Sequence, residues 1–389
     1  MGEERQRSLI LLMIISLTTR FRGGIISPIL SLFIRGQGLS ITEIGLLGTA
    51  QMMGWLFFEP LMGIIADRVQ KRYMIIVAIV GSTIIYAIYP FAETFMHFAL
   101  LGFSMSSVMS AYAISVKALT AELLPKSSRG RTYGRYLSII SFGGVVAPFL
   151  GGYISEKGGY RTPFYISASL GIFALLSILL MRGDESDEMS EGKVILNWRE
   201  IMTAPLIGIF TVRGIYLFNL VFRQSFLPIF LNESPCFLAT ESQIGIYLTL
   251  TGIAISISQA VLGGVVDRVG SRRMIVSCVG LLSLTYLGFL YMRGIETVFM
   301  LGVIQGILLA GADMSMMIHL MSIMPENQTG MVMGLYSESE NIGGMIASPS
   351  LGYAYDKFGS GSSIIILASI LIINAFLSWL LIKTRKDSD

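Results

Sequence analysis

The sequence predicts an all-α integral membrane protein of twelve transmembrane helices arranged as two pseudo-symmetric six-helix bundles. Three observations carry that prediction. Apolar runs long enough to cross a bilayer recur from end to end of a 389-residue chain in which 53% of residues are hydrophobic. Only 14% of residues are charged, against about 25% in soluble domains, and the mean hydropathy is +0.70. This balance excludes a soluble enzyme or binding module, and it is far too apolar for a disordered chain. Finally, the two halves of the chain repeat at an offset of 200 residues.

With roughly 30 residues for one span and its loop, the length accommodates about twelve helices. They are expected at 8–33, 42–66, 73–92, 95–122, 131–155 and 162–181, then at 203–231, 241–266, 273–293, 296–322, 330–356 and 361–382. The first follows Arg5 and Arg7, carries Arg20 and Arg22 and lacks a small-residue cleavage site, so it reads as a membrane helix and not as a signal peptide. Gln6 stands where a myristoylation pattern needs Ser or Thr, and no lipid anchor is expected. Between the sixth and seventh spans, Asp184, Glu185, Asp187, Glu188 and Glu191 mark a solvated linker. Its second part, with Ile195, Trp198 and Ile201 beside Lys193 and Arg199, also suits the membrane surface. The expected organisation is therefore a bundle at 1–181, a cytoplasmic linker at 182–202 and a bundle at 203–389. Cys236 and Cys278 fall on different elements and imply no disulfide framework.

The repeat pairs Pro28 with Pro228, Gly45 with Gly245, Gly63 with Gly263, Asp67-Arg68 with Asp267-Arg268, Pro125 with Pro325, Tyr136 with Tyr336, and Gly143-Gly144 with Gly343-Gly344. Glycine is common in membrane helices, but matched Asp-Arg pairs on corresponding loops point to duplication. Two bundles related by an axis along the membrane normal follow from it. Orientation follows from the basic residues, which stay cytoplasmic in short loops. With the N-terminus inside, only Arg35, Lys157, Arg161, Arg293 and Lys357 of the loop cations fall outside. Both termini are expected to be cytoplasmic, in a multi-pass protein of the cell membrane.

The loop after the second span reads Gly63-Ile-Ile-Ala-Asp67-Arg68-Val-Gln70-Lys71-Arg72, and the loop after the eighth reads Gly263-Gly-Val-Val-Asp267-Arg268-Val-Gly270-Ser-Arg272-Arg273. The glycines are expected to permit close helix approach, and the basic clusters to hold the loops on the cytoplasmic side. These loops resemble the Gly-x-x-x-Asp-Arg-x-Gly-Arg-Arg signature of the major facilitator superfamily of transporters, with Gln70 replacing the glycine of the first copy. The resemblance implies that Asp67, Arg68, Lys71 and Arg72, with their counterparts Asp267, Arg268, Arg272 and Arg273, form a cytoplasmic latch. Glu122 is the expected partner on the fourth span, and Glu59 a further brace. The fifth span carries Gly143, Gly144, Ala147, Pro148, Gly151 and Gly152, which is similar to the Gly-Pro-x-x-Gly-Gly motif of the drug and metabolite antiporter branch. Pro148 removes a backbone donor and the glycines admit a close crossing, so this helix is expected to bend and pack against the other half. The branch usually has an arginine inside its fourth helix. Here Leu101 to Ser115 contains none, and Lys117 is the nearest cation.

An ionisable group at membrane depth costs at least about 2.5–3.5 kcal/mol, so it normally faces a cavity or a partner. The resemblance implies that spans 1, 4, 7 and 10 line the central cavity. The first puts Ser16, Arg20, Gly23, Gly24, Ser27 and Ser31 on one stripe beside Arg22, and the fourth does the same with Ser106, Ser110 and Lys117. The seventh supplies Arg213, Tyr216, Asn219, Arg223 and Gln224, and the tenth Gln305, Asp313 and His319. On the eleventh, Glu338 and Glu340 are two residues apart, about 200° round a helix, and cannot share a face. Glu338, three residues before Asn341, is expected to reach the cavity, and Glu340 to pair with a neighbouring cation. Asp313 and Glu338 are the expected proton-coupling acids, since a carboxylate held out of water can alternate between its two protonation states.

The leading function is therefore a secondary transporter that moves a small organic molecule by alternating access, with proton-coupled export of amphipathic compounds ahead of uptake of an organic anion. The fifth-span motif and 23 methionines, which offer soft adaptable surface, favour the first; a slightly positive sum of intramembrane charges favours the second. No Gly-x-x-x-x-Gly-Lys loop supplies ATP chemistry, so a proton gradient is the expected energy source and no cofactor or metal is expected. An intramembrane enzyme fits badly: His97 and His319 lie on different spans, and neither His-Glu-x-x-His nor Gly-x-Ser-x-Gly occurs. A transporter-like receptor or sensor is the remote alternative. The expected partners are the substrate and the lipid bilayer, with no nucleic acid, around a monomer.

Overall fold

The computed structural model of the chain describes residues 3–66, 68–123, 129–181, 201, 203–325 and 328–382. These residues form α-helices without strands: α1 Glu3–Ile26, α2 Leu30–Gly36, α3 Ile41–Ala66, α4 Lys71–Ile88, α5 Phe95–Leu123, α6 Arg129–Gly158 and α7 Thr162–Leu179. The second half follows with α8 Ala204–Val221, α9 Leu227–Glu233, α10 Glu241–Val269, α11 Ser271–Tyr291, α12 Ile295–Ile323, α13 Thr329–Phe358 and α14 Ser360–Leu381. Every expected span is occupied by helix. Among the described residues, ten spans are long and apolar enough to cross a bilayer. α3 and α13 are long enough at 26 and 30 residues, but Gln51 and Glu59 in the one, and Glu338, Glu340, Asn341 and Asp356 in the other, dilute their hydropathy. The expected linker at 182–202 lies outside the described residues except for Ile201.

Proline and glycine set the breaks. Pro28 has no N–H to continue α1, and the chain turns before α2 resumes the same span. At the matching Pro228 the second half solves the problem differently, with a π-helical turn over Phe222–Phe226 leading into α9. Where α11 begins, Gly270 has φ +90, a left-handed conformation that favours glycine. Gln70, its counterpart before α4, has φ −56 and ψ 125 and needs no glycine. The replacement of Gly by Gln in the first signature loop therefore reflects a different turn.

The chain divides into two compact units. The first comprises Met1–Gln37, Ala50–Gly192 and Thr240–Thr249, and the second Gly38–Thr49, Lys193–Ala239 and Leu250–Asp389. In the first, α1 packs on α6 and α7, and α4 on α5 and α7; in the second, α8 packs on α13 and α14, and α11 on α12 and α14. These are the same pairings under the 200-residue repeat. Leu12, Ile15, Ile75, Ala78, Ile79, Ala174 and Ile178 fill the first core, and Val212, Val279, Leu282, Leu320, Leu367 and Leu371 the second. Opposite those faces Ile172, Phe173 and Leu176 on α7, and Ile372, Ile373 and Phe376 on α14, stay exposed. Helices apolar on both the packed and the open side belong in lipid.

Candidate functional site

The second unit gathers three of the expected intramembrane charges into one cluster. Arg213 on α8 donates from Nε to Glu340 Oε1 on α13 at 2.7 Å and from Nη1 to Asp313 Oδ1 on α12 at 2.5 Å. Its guanidinium lies over the Tyr216 ring at 5.4 Å and the Tyr336 ring at 5.2 Å, with Met316 Sδ at 3.9 Å. The helices bring these groups together by spacing: Tyr216 is one turn from Arg213, and Tyr336 one turn from Glu340. A close crossing of α8 and α13, at which a side chain on Gly343 would strike the Gly214 backbone, sets the distance between them. The Arg213 side chain is 15% exposed, whereas Asp313 is 39% and Glu340 31% exposed. The cation is thus enclosed and the acids form the accessible side. With both acids ionised the cluster carries a net charge of −1.

Around it lie further expected residues. Glu338 turns away from Glu340 and accepts from Asn341 Nδ2 at 3.0 Å. Asn219 is fully buried and donates to the Tyr216 carbonyl, and Gln305, also fully buried, donates to Thr285 Oγ1 at 3.2 Å. The Tyr216 hydroxyl, Asn219 Oδ1 and Arg223 Nε are buried without a hydrogen-bond partner among the described residues. Gln224 is exposed, and His319 is buried with Nδ1 3.4 Å from Ser271 Oγ.

The first unit is built otherwise. Arg22, expected among cavity-facing charges, is 1% exposed and sits in a closed niche between α1, α4 and α7. Its guanidinium donates to the Ser167 carbonyl at 2.7 Å, Thr83 Oγ1 at 3.1 Å and Ser82 Oγ at 3.4 Å, and lies 5.1 Å from the Tyr86 ring centroid. A side chain on Gly171 would collide with it. Ser16 on the expected polar stripe meets Tyr136 Oη at 2.7 Å and Tyr112 Oη at 3.4 Å. Arg20 and Lys117 are exposed.

The expected latch residues fall as follows. Lys71 pairs with Glu122 at 3.0 Å. Arg72 donates to the Leu179 carbonyl at 3.1 Å, and Arg272 to the Trp379 carbonyl while its guanidinium lies 5.4 Å from the Trp379 ring centroid. In each unit an arginine that opens α4 or α11 thus meets the C-terminal end of α7 or α14, where the helix dipole favours a cation. Arg68, Asp267, Arg268 and Arg273 are exposed, Glu59 is half-buried, and Asp67 lies outside the described residues. The close helix approach expected at Gly63 and Gly263 does not occur: among the described residues nothing lies within 4 Å of a Cβ on Gly63, and only the end of Met314 approaches Gly263. These glycines lie towards the loop ends of α3 and α10, and the close backbone contacts lie elsewhere. In the fifth-span motif, Gly143 meets Leu17, Gly151 the Ile25 carbonyl and Gly152 the Glu241 carbonyl, while Gly144 faces open space. Pro148 is approached by Gly245, from the 240–249 segment that belongs to the first unit.

Two parts of this picture escape a reading by motif. Tyr336 stands out in the sequence only as a repeat match, although its place one turn before Glu340 puts both on one face. The Arg22 niche is assembled from Ser82, Thr83, Gly171 and Ser167 on two other helices, which no local pattern announces.

The Major Facilitator Superfamily model matches residues 12–234 and 214–389. An uncharacterised MFS-type transporter of Methanocaldococcus jannaschii is 22% identical over 97% of this chain and 99% of its own length. Multidrug resistance protein MdtG of Dickeya zeae is 24% identical over 94% of this chain and 92% of its own. Among solved structures, a point mutant of the nucleoside transporter NupG superposes with a TM-score of 0.85 at 13% identity, covering 97% of this chain and all of that one. A bacterial homolog of the human lysosomal transporter Spinster, inward-facing and unoccupied, gives 0.83 at 15% identity, covering 98% and 97%.

Proposed function

The chain belongs to the major facilitator superfamily of membrane transporters, and from that premise we propose that it exports small amphipathic cations in exchange for protons. The observation that carries this reading is the sharing of one enclosed guanidinium by two partly accessible carboxylates, Asp313 and Glu340. A lone arginine with one acid would be left uncompensated whenever that acid took up a proton, at a cost of several kcal/mol in a dehydrated site. With two acids, one can bind a proton while the other still pairs with Arg213. The cluster then alternates between −1 and neutral without stranding the cation. In the charged state it suits a cationic ligand, so that proton and substrate compete for the same carboxylate edge.

Tyr216, Tyr336 and Met316 are buried around the guanidinium and help to enclose it, which leaves the Asp313 and Glu340 carboxylates as the part of the cluster that a ligand can reach. The multidrug name of the Dickeya relative supports the same substrate class. Arg22 is enclosed by its own niche and Arg213 by two acids, which weakens the positive balance that favoured an organic anion. The distribution of basic loop residues supports cytoplasmic termini in the cell membrane, with export running outward.

The test is flux in proteoliposomes with an imposed pH gradient, using ethidium as a cationic probe and carboxyfluorescein as an anionic one. Gradient-dependent movement of ethidium, lost in Asp313→Asn or Glu340→Gln, is the expected result. Movement of carboxyfluorescein alone, abolished by Arg20→Gln or Arg223→Gln, would make organic-anion transport the function. Binding without movement of either would make the protein a sensor.

A further inference from the structure

Two short segments sit with the unit of the opposite sequence half. The first turns of α3, within Gly38–Thr49, cluster with the second unit, and those of α10, within Thr240–Thr249, with the first. At each seam the same devices recur 200 residues apart. The Asp356 carboxylate, near the end of α13, accepts from the backbone N–H of Thr42 at 2.6 Å and of Ile41 at 3.2 Å. Its counterpart Glu156, near the end of α6, accepts from the N–H of Ser242 at 3.3 Å. Each carboxylate, itself exposed, thus caps the N-terminus of a helix that begins in the other half, where the helix dipole favours negative charge.

Below the caps the backbones nearly touch. A side chain on Gly45 or Gly352 would strike the backbone of Ser348 or Ile41, and one on Gly245 or Gly152 that of Pro148 or Glu241. Pro349 leaves the Met345 carbonyl without its helical donor, and Thr49 Oγ1 supplies one at 3.1 Å. At the matching place the Thr249 hydroxyl accepts from Phe149 N–H, beside Pro148, at 3.2 Å. Tyr160 donates to Glu241 at the edge of the first unit's seam. Burial, and then the Glu241 carboxylate, push the Tyr160 hydroxyl above its ordinary range, so it remains a donor at physiological pH.

Helix continuity decides what these seams are for. α3 runs unbroken from Ile41 to Ala66 with its only proline at Pro60, and α10 from Glu241 to Val269 with none. In each, the first turns belong to one unit and the remainder to the other. Alternating access moves one bundle against its partner. Such a movement must either break both helices internally or part both seams. Snapping a helix sacrifices several backbone bonds in lipid, whereas the caps are exposed and rehydrate when they open. We propose that Asp356 and Glu156 are paired positioning residues for transport, carboxylate caps that hold the ends of α3 and α10 in the closed state and release them when the transporter opens on the side opposite the signature loops. This inference rests on the chain being a transporter and is independent of its substrate and coupling ion.

The test measures the seam directly in the full chain, in nanodiscs and without substrate. Spin labels on Leu46→Cys and Phe358→Cys, both exposed in the second unit, in a Cys236→Ser, Cys278→Ser background, report the separation across that unit's seam by pulsed electron resonance. Labels on Tyr73→Cys and Leu180→Cys, both exposed in the first unit, serve as the control. Asp356→Asn keeps an acceptor oxygen but removes the charge that the helix dipole favours, and is expected to raise the ratio of long to short separations about fivefold. Glu156→Gln, whose bond is longer, should raise it about threefold at the same labels, because the two seams open together. Asp356→Glu, which keeps a carboxylate, should stay near wild type, a rescue that a merely bulky or folding role would not produce. An unchanged separation in both Asp356→Asn and Glu156→Gln overturns the proposal. If Asp356→Asn also broadens the control pair, it has lost its fold, and Glu156→Gln decides alone.

Discussion

Arg22 in the first unit and Phe222 in the second occupy equivalent positions of the repeat, and each lies against the equivalent tyrosine. The guanidinium lies 5.1 Å from the Tyr86 ring centroid, and the phenyl ring meets Tyr286 edge-on at 5.7 Å. The surroundings have diverged in step. Ser82, Ser167 and Gly171 make room and hydrogen-bonding surface for Arg22, and the matching Leu282, Leu367 and Leu371 fill the space with hydrocarbon. The cluster of Arg213, Asp313 and Glu340 shows the opposite asymmetry: its residues correspond to Met13, Ala113 and Ile140. Two copies of one scaffold thus carry their charges at different places. What the copies share is structural, the glycines, prolines and loop arginines, whereas what they do not share is where chemistry has been installed.

The sharpest way to break this comparison is to exchange the niches. Phe222→Arg places a cation where Leu282, Leu367 and Leu371 replace the Ser82, Ser167 and Gly171 that make room for Arg22, and a poorly compensated buried charge costs about 3–5 kcal/mol. We expect the variant to fail to accumulate as folded protein, as read by size-exclusion chromatography. Leu282→Ser with Leu367→Ser should restore part of it.

Next in size is the cluster itself. Arg213→Met leaves two carboxylates facing each other without a cation, and the melting temperature should fall by an amount equivalent to about 2–3 kcal/mol, somewhat less than for a fully enclosed pair. Adding Asp313→Ala and Glu340→Ile completes the pattern of the first unit. Replacing a whole ionic cluster by hydrocarbon is often neutral, so this triple variant should melt within about 1 kcal/mol of wild type and still move no substrate. Equal destabilisation of the single and triple variants would show that the charges hold the helices together and would remove the separation of scaffold from chemistry.

Arg22→Met should be milder still, about 1 kcal/mol in either direction. The Ser82 and Thr83 hydroxyls keep their bonds to the Ile79 carbonyl, and the variant removes a desolvated charge as well as its contacts. A loss above about 3 kcal/mol would mean that the niche carries more of the first unit than its neutral partners suggest.

How much of this was legible in the sequence follows from the same division. The spans, the repeat and the family rest on apolar run length, proline, glycine and loop charge, which act locally and leave a local signature. The pairing of Glu340 with a cation followed from its angular offset from Glu338, and the partner of Lys71 from the resemblance. What stayed hidden depends on rotation about a helix axis and on neighbours from other helices. Arg22 and Arg20 are two residues apart, so they face different ways, and nothing along the first span says which faces the core. Asp356 and Glu156 look like ordinary end charges until the first turns of α3 and α10 are set against them.

The smallest effect tests the one place where the shared scaffold itself differs. Gly270 has φ +90 and, among the described residues, no neighbour within 4 Å of a Cβ, so an alanine there suffers from backbone conformation alone and not from crowding. Gly270→Ala should cost about 1 kcal/mol. Gln70, with φ −56, should accept alanine with almost no change, and Gln70→Gly should lose a few tenths to about 1 kcal/mol through the greater freedom of the unfolded chain. The two loops would then respond to the same pair of residues with opposite sign, which thermal melting of these single variants can resolve. A neutral Gly270→Ala would mean that the second loop can adopt the turn of the first, and that the glycine of the signature is retained there for a reason other than its backbone.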